Sequence, residues 1–162
     1  MAKSTNPIPP GFHTVTPYLI VRDSRKAIDF YKKAFDAEEI LIMPGPDGKV
    51  MHAEIKIGDS IVFLADEMPE MNHLGPETRG GATCSLMLYV KDVDTSFEKA
   101  VKAGCIVKMP LSDQFWGDRY GNVVDPFGHV WALATHIEDV SPEEMQMRME
   151  SACKQMATAS KK

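Results

Sequence analysis

The sequence lacks the features that define several large classes of protein. Its 162 residues include only three cysteines, Cys84, Cys105 and Cys153, and none of them belongs to a CxxC pair. An odd number of widely spaced cysteines favours neither a disulfide framework nor a cysteine-based zinc site. The chain also has no GxSxG, P-loop or GxGxxG motif, so it lacks the signatures of serine hydrolases and of common nucleotide-binding folds.

Basic residues and long apolar runs are also scarce. Lys and Arg total 18 against 23 Asp and Glu, which gives a formal net charge of −5 at pH 7. A nucleic-acid surface needs a basic stripe, so we expect no nucleic-acid partner. No stretch approaches the roughly 18 apolar residues of a membrane span, and no signal-peptide pattern is present. We therefore expect no membrane association and a cytoplasmic location.

What is present is the composition of one ordinary globular domain. Hydrophobic residues make up 44% of the chain and charged residues 25%, a balance that allows a normal core without disulfides or metals.

The first half of the chain predicts one strand, one helix and three further strands. β-branched and aromatic residues mark VTPYLIV (15–21) as a strand. A helix follows, which Asp23 or Ser24 can cap, and its apolar face consists of Ala27, Phe30, Tyr31 and Ala34. Further strands are predicted at 40–43, 51–58 and 60–66, the last two joined by a Gly58-Asp59 turn.

The second half repeats this order after an aperiodic linker. A strand at 83–92 leads to a helix capped by Asp92 or Asp94 and ended by Gly104. A strand at 105–109, a long loop at 111–121 and strands at 122–125 and 129–136 follow, with the turn DPFG at 125–128. Val21 and Val90 lie 69 residues apart, whereas Gly58 and Gly128 lie 70 apart, so a shift of one residue aligns both halves.

These elements predict an α+β fold made of two tandem βαβββ modules that bury their apolar faces together. The expected divisions are a flexible arm at 1–11, a first module at 12–66, a linker at 67–82, a second module at 83–138 and a C-terminal helix at 141–158. That helix starts with Ser141, Pro142 and Glu144, a capping pattern. One face carries Met145, Met149, Ala152 and Met156; it predicts a packing helix or, alternatively, an adaptable methionine-rich contact surface.

Three segments carry a resemblance to a known family. PYLIVRDSRKAIDFYKKAF and VDPFGHVWALATH resemble the glyoxalase/bleomycin-resistance/extradiol-dioxygenase superfamily, also called vicinal oxygen chelate. DQFWGDR and DPFGHVWALATHIEDVSPEE resemble its PhnB-like branch, and the resemblance spans about residues 12–145. It implies that the two modules form a curved mixed-sheet trough and that the chain forms a homodimer.

The resemblance also implies where a divalent metal would be bound, on the first and last strand of each module. Those positions fall at Thr16, Val62, Ser85 and Ala132. Two of these side chains are neutral hydroxyls and two are hydrocarbons, so none is a good metal ligand. We therefore expect no metal and no cofactor.

Two polar groups in the sequence are candidates for chemistry. His52 and Glu54 share one face of a strand. They could form an acid–base pair or a partial metal site; alternatively, they belong to an exposed polar surface that Lys56 continues. In the segment 113–119, Trp116 can stack on a flat ligand and Arg119 can bind a carboxylate or phosphate. Alternatively, Arg119 pairs with Asp118 or Asp125 and the segment is structural.

The sequence favours a metal-free protein that sequesters a small planar or amphipathic molecule in an apolar trough. The predicted ligand-binding residues are Thr16, Tyr18, His52, Ser85, Tyr89, Trp116, Arg119 and Trp131, and no catalytic residue is assigned. One alternative is a metal-dependent lyase or isomerase of glyoxalase type with a displaced site made of His52, Glu54, Asp66 and His136. Another is a non-catalytic interaction protein that uses the C-terminal helix.

Overall fold

The computed structural model describes residues 6–45 and 47–159, with side chains up to residue 154. The first five residues of the predicted arm and the side chain of Met156 lie outside the described residues. Among the described helices, none is both long and apolar enough to cross a membrane.

Each half of the chain folds into one βαβββ module, which confirms the predicted α+β fold class. The first module contains β1 (Tyr18–Val21), α1 (Ser24–Phe35), β2 (Glu38–Pro44), β3 (Val50–Ile57) and β4 (Ser60–Asp66). The linker holds a 3-10 turn (Pro69–Met71) and α2 (Pro76–Arg79). The second module contains β5 (Ser85–Tyr89), α3 (Val93–Ala103), β6 (Ile106–Asp113), β7 (Asp118–Val124) and β8 (Val130–His136), and α4 (Pro142–Ala159) follows.

The two modules form separate four-stranded sheets with the same topology. Their strand orders are β1-β4-β3-β2 and β5-β8-β7-β6. In each sheet the first strand runs parallel to the last, and the remaining pairs are antiparallel. Equivalent aspartates start α1 and α3, because Asp23 accepts from the Lys26 N–H and Asp92 from the Thr95 N–H. These contacts decide between the alternative caps that the sequence left open.

The predicted long loop at 111–121 is wrong. β6 continues to Asp113 and β7 begins at Asp118, so only residues 114–117 form the turn between them. The turn is tight because Gly117 adopts a φ of 95° and a Cβ there would lie 2.1 Å from the Glu138 carbonyl oxygen. The polar and aromatic residues of this hairpin have the composition of a loop, which caused the wrong prediction. Their alternation nevertheless fits strands that have one exposed face.

The predicted one-residue shift between the two halves is also wrong for the last strands. Tyr18 pairs with Phe63, and Ser85 pairs with Val130, so both parallel pairs have the same separation in sequence. Phe63, and not Val62, is therefore the structural equivalent of Ala132. The alignment of Gly58 with Gly128 gave the wrong offset because the two turns differ in length: β3 and β4 are joined by two residues, whereas β7 and β8 are joined by five.

A single hydrophobic core joins the modules. It contains the helix-facing residues of both sheets, such as Leu64 and Leu133, and α1 packs against α3. The opposite side of each sheet is therefore turned away from the core. We call these sides the first open face, which carries Tyr18, His52, Glu54 and Phe63, and the second open face, which carries Ser85, Met87, Tyr89, Asp118, Tyr120, Ala132 and His136.

A buried carboxylate in the DPFG turn connects the two modules. Asp125 Oδ2 accepts from the Tyr31 hydroxyl of α1 at 2.7 Å and from Trp131 Nε1 of β8 at 2.8 Å. Its Oδ1 accepts from the N–H groups of Phe127 and His129, both at 2.9 Å. All four donors satisfy one side chain that is only 3% exposed, which explains why an acidic residue is tolerated there.

Replacing this carboxylate by an amide tests its role. Asp125→Asn should lower the free energy of unfolding by about 3 kcal/mol, because two buried donors would face an N–H₂ group and each costs roughly 1–3 kcal/mol unpaired. Tyr31→Phe removes one donor and leaves the acceptor bound to Trp131, so it should cost only about 1 kcal/mol. Urea unfolding measures both, and an Asp125→Asn variant as stable as the wild type would contradict this assignment.

Candidate functional site

On the first open face, three side chains form a linear hydrogen-bond network. The Tyr18 hydroxyl lies 3.2 Å from His52 Nδ1, and His52 Nε2 lies 3.3 Å from Glu54 Oε1. The His52 and Glu54 side chains are 24% and 18% exposed, whereas Tyr18 as a residue is 49% exposed. The alternation of β3 places His52 and Glu54 on one side, and β4 lies between β3 and Tyr18.

The Phe63 ring packs against two members of this hydrogen-bond network. Its centroid lies 4.7 Å from that of His52 and 5.6 Å from that of Tyr18, both in edge-on arrangements. Partial burial raises the pKa of the Tyr18 phenol, because the charged phenolate would lose solvation. Tyr18 is therefore protonated at neutral pH and can donate its hydroxyl hydrogen.

The second open face is organised around the carboxylate of Asp118. Its Oδ2 accepts from the Tyr89 hydroxyl and from Trp116 Nε1, both at 3.0 Å, and its Oδ1 lies 2.8 Å from His136 Nδ1. Asp118 is 4% exposed, whereas Tyr89 is 64% exposed. The Trp116 ring also contacts Tyr120 edge-on at 5.6 Å. The cluster therefore combines aromatic surfaces with one fixed negative charge.

His136 has a carboxylate on each ring nitrogen. Nδ1 faces Asp118 and Nε2 lies 3.0 Å from Asp139 Oδ1. Asp118 first and Asp139 second raise the pKa of His136, since both hydrogen bonds favour the cation. The Asp118 carboxylate also raises the pKa of Tyr89, because it accepts the phenolic hydrogen and repels a phenolate. This face therefore keeps its phenol neutral and favours a cationic imidazole.

Two residues predicted for the site lie elsewhere. Trp131 is fully buried in the core, where it contacts Tyr31 and Phe35, so it cannot line a trough in this structure. Arg119 points to the helix side and binds Asp94 of α3 and Asp113 of β6. Neither Asp118 nor Asp125 is its partner, which corrects the pairing that the structural interpretation of that arginine named.

The other predicted residues are distributed over the two sheets. Thr16 precedes β1, and Tyr18 and His52 come together on the first open face. Ser85, Tyr89 and Trp116 belong to the second module, where the last two meet at Asp118. Three further residues of the open faces, Asp118, Phe63 and Tyr120, were not among the predicted site residues. The alternation of Asp118 with Tyr120 along a strand could have revealed these two residues, had 111–121 not been taken for a loop.

The residues present do not fit the divalent metal that the family resemblance implies. With the corrected register the four positions hold Thr16, Phe63, Ser85 and Ala132, which offer two neutral hydroxyls and no charged donor. The proposed displaced site is not assembled either, because Asp66 faces the core and accepts from the Ser24 and Val50 N–H groups. Within the described ranges, no group of three or more His, Cys, Asp or Glu side chains is placed to hold a metal.

Comparison with known proteins gives consistent similarities. The sequence profile of the Glyoxalase/Bleomycin resistance protein/Dioxygenase superfamily matches residues 11–133. An uncharacterized protein of Mycobacterium tuberculosis (strain ATCC 25618 / H37Rv) is 46% identical over 140 residues, which cover 85% of this chain and 82% of that protein.

Solved structures share the architecture. The crystal structure of TioX from Micromonospora sp. ML1 is 29% identical with a TM-score of 0.61, and the match covers 77% of this chain and 99% of TioX. A PhnB protein from Bacillus cereus is 21% identical with a TM-score of 0.61, over 76% of this chain and 99% of that protein. At that identity the second likeness concerns the fold alone.

The charge state of His136 provides a test of the second open face. In a nuclear magnetic resonance titration, the pKa of His136 should lie above the usual imidazole value of about 6.5. Asp118→Asn should move it back towards that value, and Asp139→Asn should move it less, because Asp118 is the larger cause. An unchanged His136 titration in Asp118→Asn would show that this carboxylate does not control the imidazole.

Proposed function

Since the chain belongs to the glyoxalase/bleomycin resistance protein/dioxygenase superfamily, as its motifs predicted, we propose that it binds a small flat or amphipathic molecule without a metal. One observation carries this proposal: the implied metal positions lack metal ligands, and aromatic side chains lie next to them. Where the family resemblance implies metal ligands, the chain carries hydroxyls and hydrocarbons. Beside those positions stand aromatic side chains whose polar ends have fixed partners.

The open faces have the chemistry of a small-molecule site. Aromatic and apolar surfaces provide area for a flat ligand, and a few positioned polar groups orient it. Tyr18 and Phe63 supply such a surface on the first open face. Tyr89, Trp116 and Met87 supply it on the second, and Tyr89 and Met87 are 64% and 41% exposed. Large apolar side chains left in water at such positions favour contact with a ligand or another protein.

We further propose that the chain acts as a homodimer. The edge strand β2 exposes Ile40, Leu41 and Met43, and the edge strand β6 of the other sheet exposes Ile106 and Val107. Exposed apolar edge strands are prone to pair with another chain. A second copy is the partner that would cover both edges and enclose each open face.

Metal content is the first test of this function. Elemental analysis of protein purified without an affinity tag should find Zn, Mn, Fe and Ni well below one equivalent per chain, because the four family positions carry no charged donor. A tightly held equivalent of any of these metals would contradict a metal-free function and favour the lyase or isomerase alternative.

Ligand binding is the second test, with 8-anilinonaphthalene-1-sulfonate as a flat amphipathic probe. The probe should quench Trp116 fluorescence, and Trp116→Phe should weaken binding by about 0.5–1.5 kcal/mol, roughly two- to tenfold in Kd. Trp131 is buried and should contribute a constant background.

Arg119→Ala is the matched control for this assay. Because Arg119 binds Asp94 and Asp113 on the helix side, its removal should lower the melting temperature and leave the Kd of the probe unchanged. Probe binding that persists unaltered in Trp116→Phe but falls in Arg119→Ala would place the site elsewhere.

A further inference from the structure

We propose that Tyr18, His52 and Glu54 form a proton relay that makes the Tyr18 oxygen a metal-independent general acid–base catalyst towards a carbon acid bound on the first open face. This activity rests on the proposed small-molecule site and goes beyond binding. The substrate class is a flat molecule with a C–H bond activated by an adjacent electron-withdrawing group.

The direction of the relay follows from the hydrogen-bonding capacity of its members. A Glu54 carboxylate can only accept, so whenever the His52 ring is neutral its hydrogen lies on Nε2, which is 3.3 Å from Glu54 Oε1. His52 Nδ1 then presents a lone pair. The Tyr18 hydroxyl, 3.2 Å away, must therefore donate to it. Both hydrogen bonds of the relay therefore run in the same direction, from Tyr18 through His52 to Glu54.

The outer end of the relay is the end that a substrate can reach. Tyr18 is about half exposed, whereas the His52 and Glu54 side chains are largely covered. The Phe63 ring contacts both the His52 and the Tyr18 rings, which fixes their mutual position. A flat molecule lying on Phe63 and Tyr18 would place its acidic C–H against the phenolic oxygen.

The chemical step is balanced without a co-reactant. The substrate C–H hydrogen passes as a proton to the Tyr18 oxygen while the Tyr18 hydroxyl proton passes to His52 Nδ1. The C–H electron pair remains with the substrate as a carbanion or forms a new bond as a leaving group departs. The resulting imidazolium is stabilised by the Glu54 carboxylate, and reversal of the transfers returns the proton.

The second open face contains the same residue types in an arrangement that cannot do this. Both nitrogens of His136 face carboxylates, Asp118 and Asp139, so the ring has no lone pair for a phenol. Tyr89 donates instead to Asp118, and its deprotonation would add a second negative charge there. Among the described residues, a hydrogen bond between a tyrosine hydroxyl and a histidine ring nitrogen is found on the first open face alone, where Tyr18 lies 3.2 Å from His52.

The probe for this activity is 5-nitrobenzisoxazole, a flat carbon acid. Removal of its ring C–H proton breaks the N–O bond, forms the nitrile and releases a coloured phenolate, so absorbance reports the rate. Wild-type protein should turn the probe over with saturation. His52→Gln should lower kcat/KM by about tenfold or more. Acid–base groups acting on their natural substrates contribute roughly 100- to 10,000-fold, and we expect a smaller effect because the site has not evolved to orient this probe.

The relay makes distinct demands on its other members. Tyr18→Phe should lower kcat, and a rate that is unchanged or faster would mean that His52 acts directly, which would overturn the relay. Glu54 is a positioning residue, so Glu54→Gln, which keeps an acceptor but loses the charge, should lower kcat with little change in KM. Added imidazole should restore part of the rate of His52→Gly, a rescue that a structural role would not allow.

His73→Gln is the matched histidine control. This exposed linker residue lies outside both open faces, so its replacement should leave kcat/KM unchanged. A wild-type rate no higher than that of His52→Gln overturns the relay. If the anilinonaphthalene probe still binds in that case, the proposed binding function survives; if neither probe binds, both proposals fail.

Discussion

The carboxylate of Asp125 is the contact on which the arrangement of the two modules depends. It receives the Tyr31 hydroxyl from the first module and the Trp131 indole N–H from the second. It also accepts two backbone N–H groups of its own turn. These donors offset the cost of burying the carboxylate, so the turn, α1 and β8 constrain one another.

This constraint determines where the functional surfaces lie. Tyr31 and Trp131 bring the helix-facing sides of both sheets into one core. Because strand residues alternate between faces, every second residue is then turned outward. Tyr18, His52 and Glu54 become one group and Tyr89 and Asp118 another, although up to 36 residues separate Tyr18 from Glu54 in the chain. Packing of the core is thus what assembles the polar groups outside it.

The two open faces are built from the same kinds of residue and have different electrostatics. His52 has one carboxylate partner and one phenol partner, whereas His136 lies between two carboxylates. The two carboxylates beside His136 raise its pKa and favour the charged imidazole. The internal repeat has therefore preserved the fold of its two copies and let their surface chemistry diverge.

The sequence by itself determined the order of the elements, the repeat and the superfamily, because each depends on neighbouring residues or on motifs. It also showed that the family's ligand positions lack good metal donors. Only the tertiary structure decided that Trp131 belongs to the core, that Arg119 binds α3 and that Phe63, not Val62, is the structural equivalent of Ala132. In a strand, a shift of one residue moves a side chain to the other face. That register is set by pairing with distant strands, which local sequence patterns do not record.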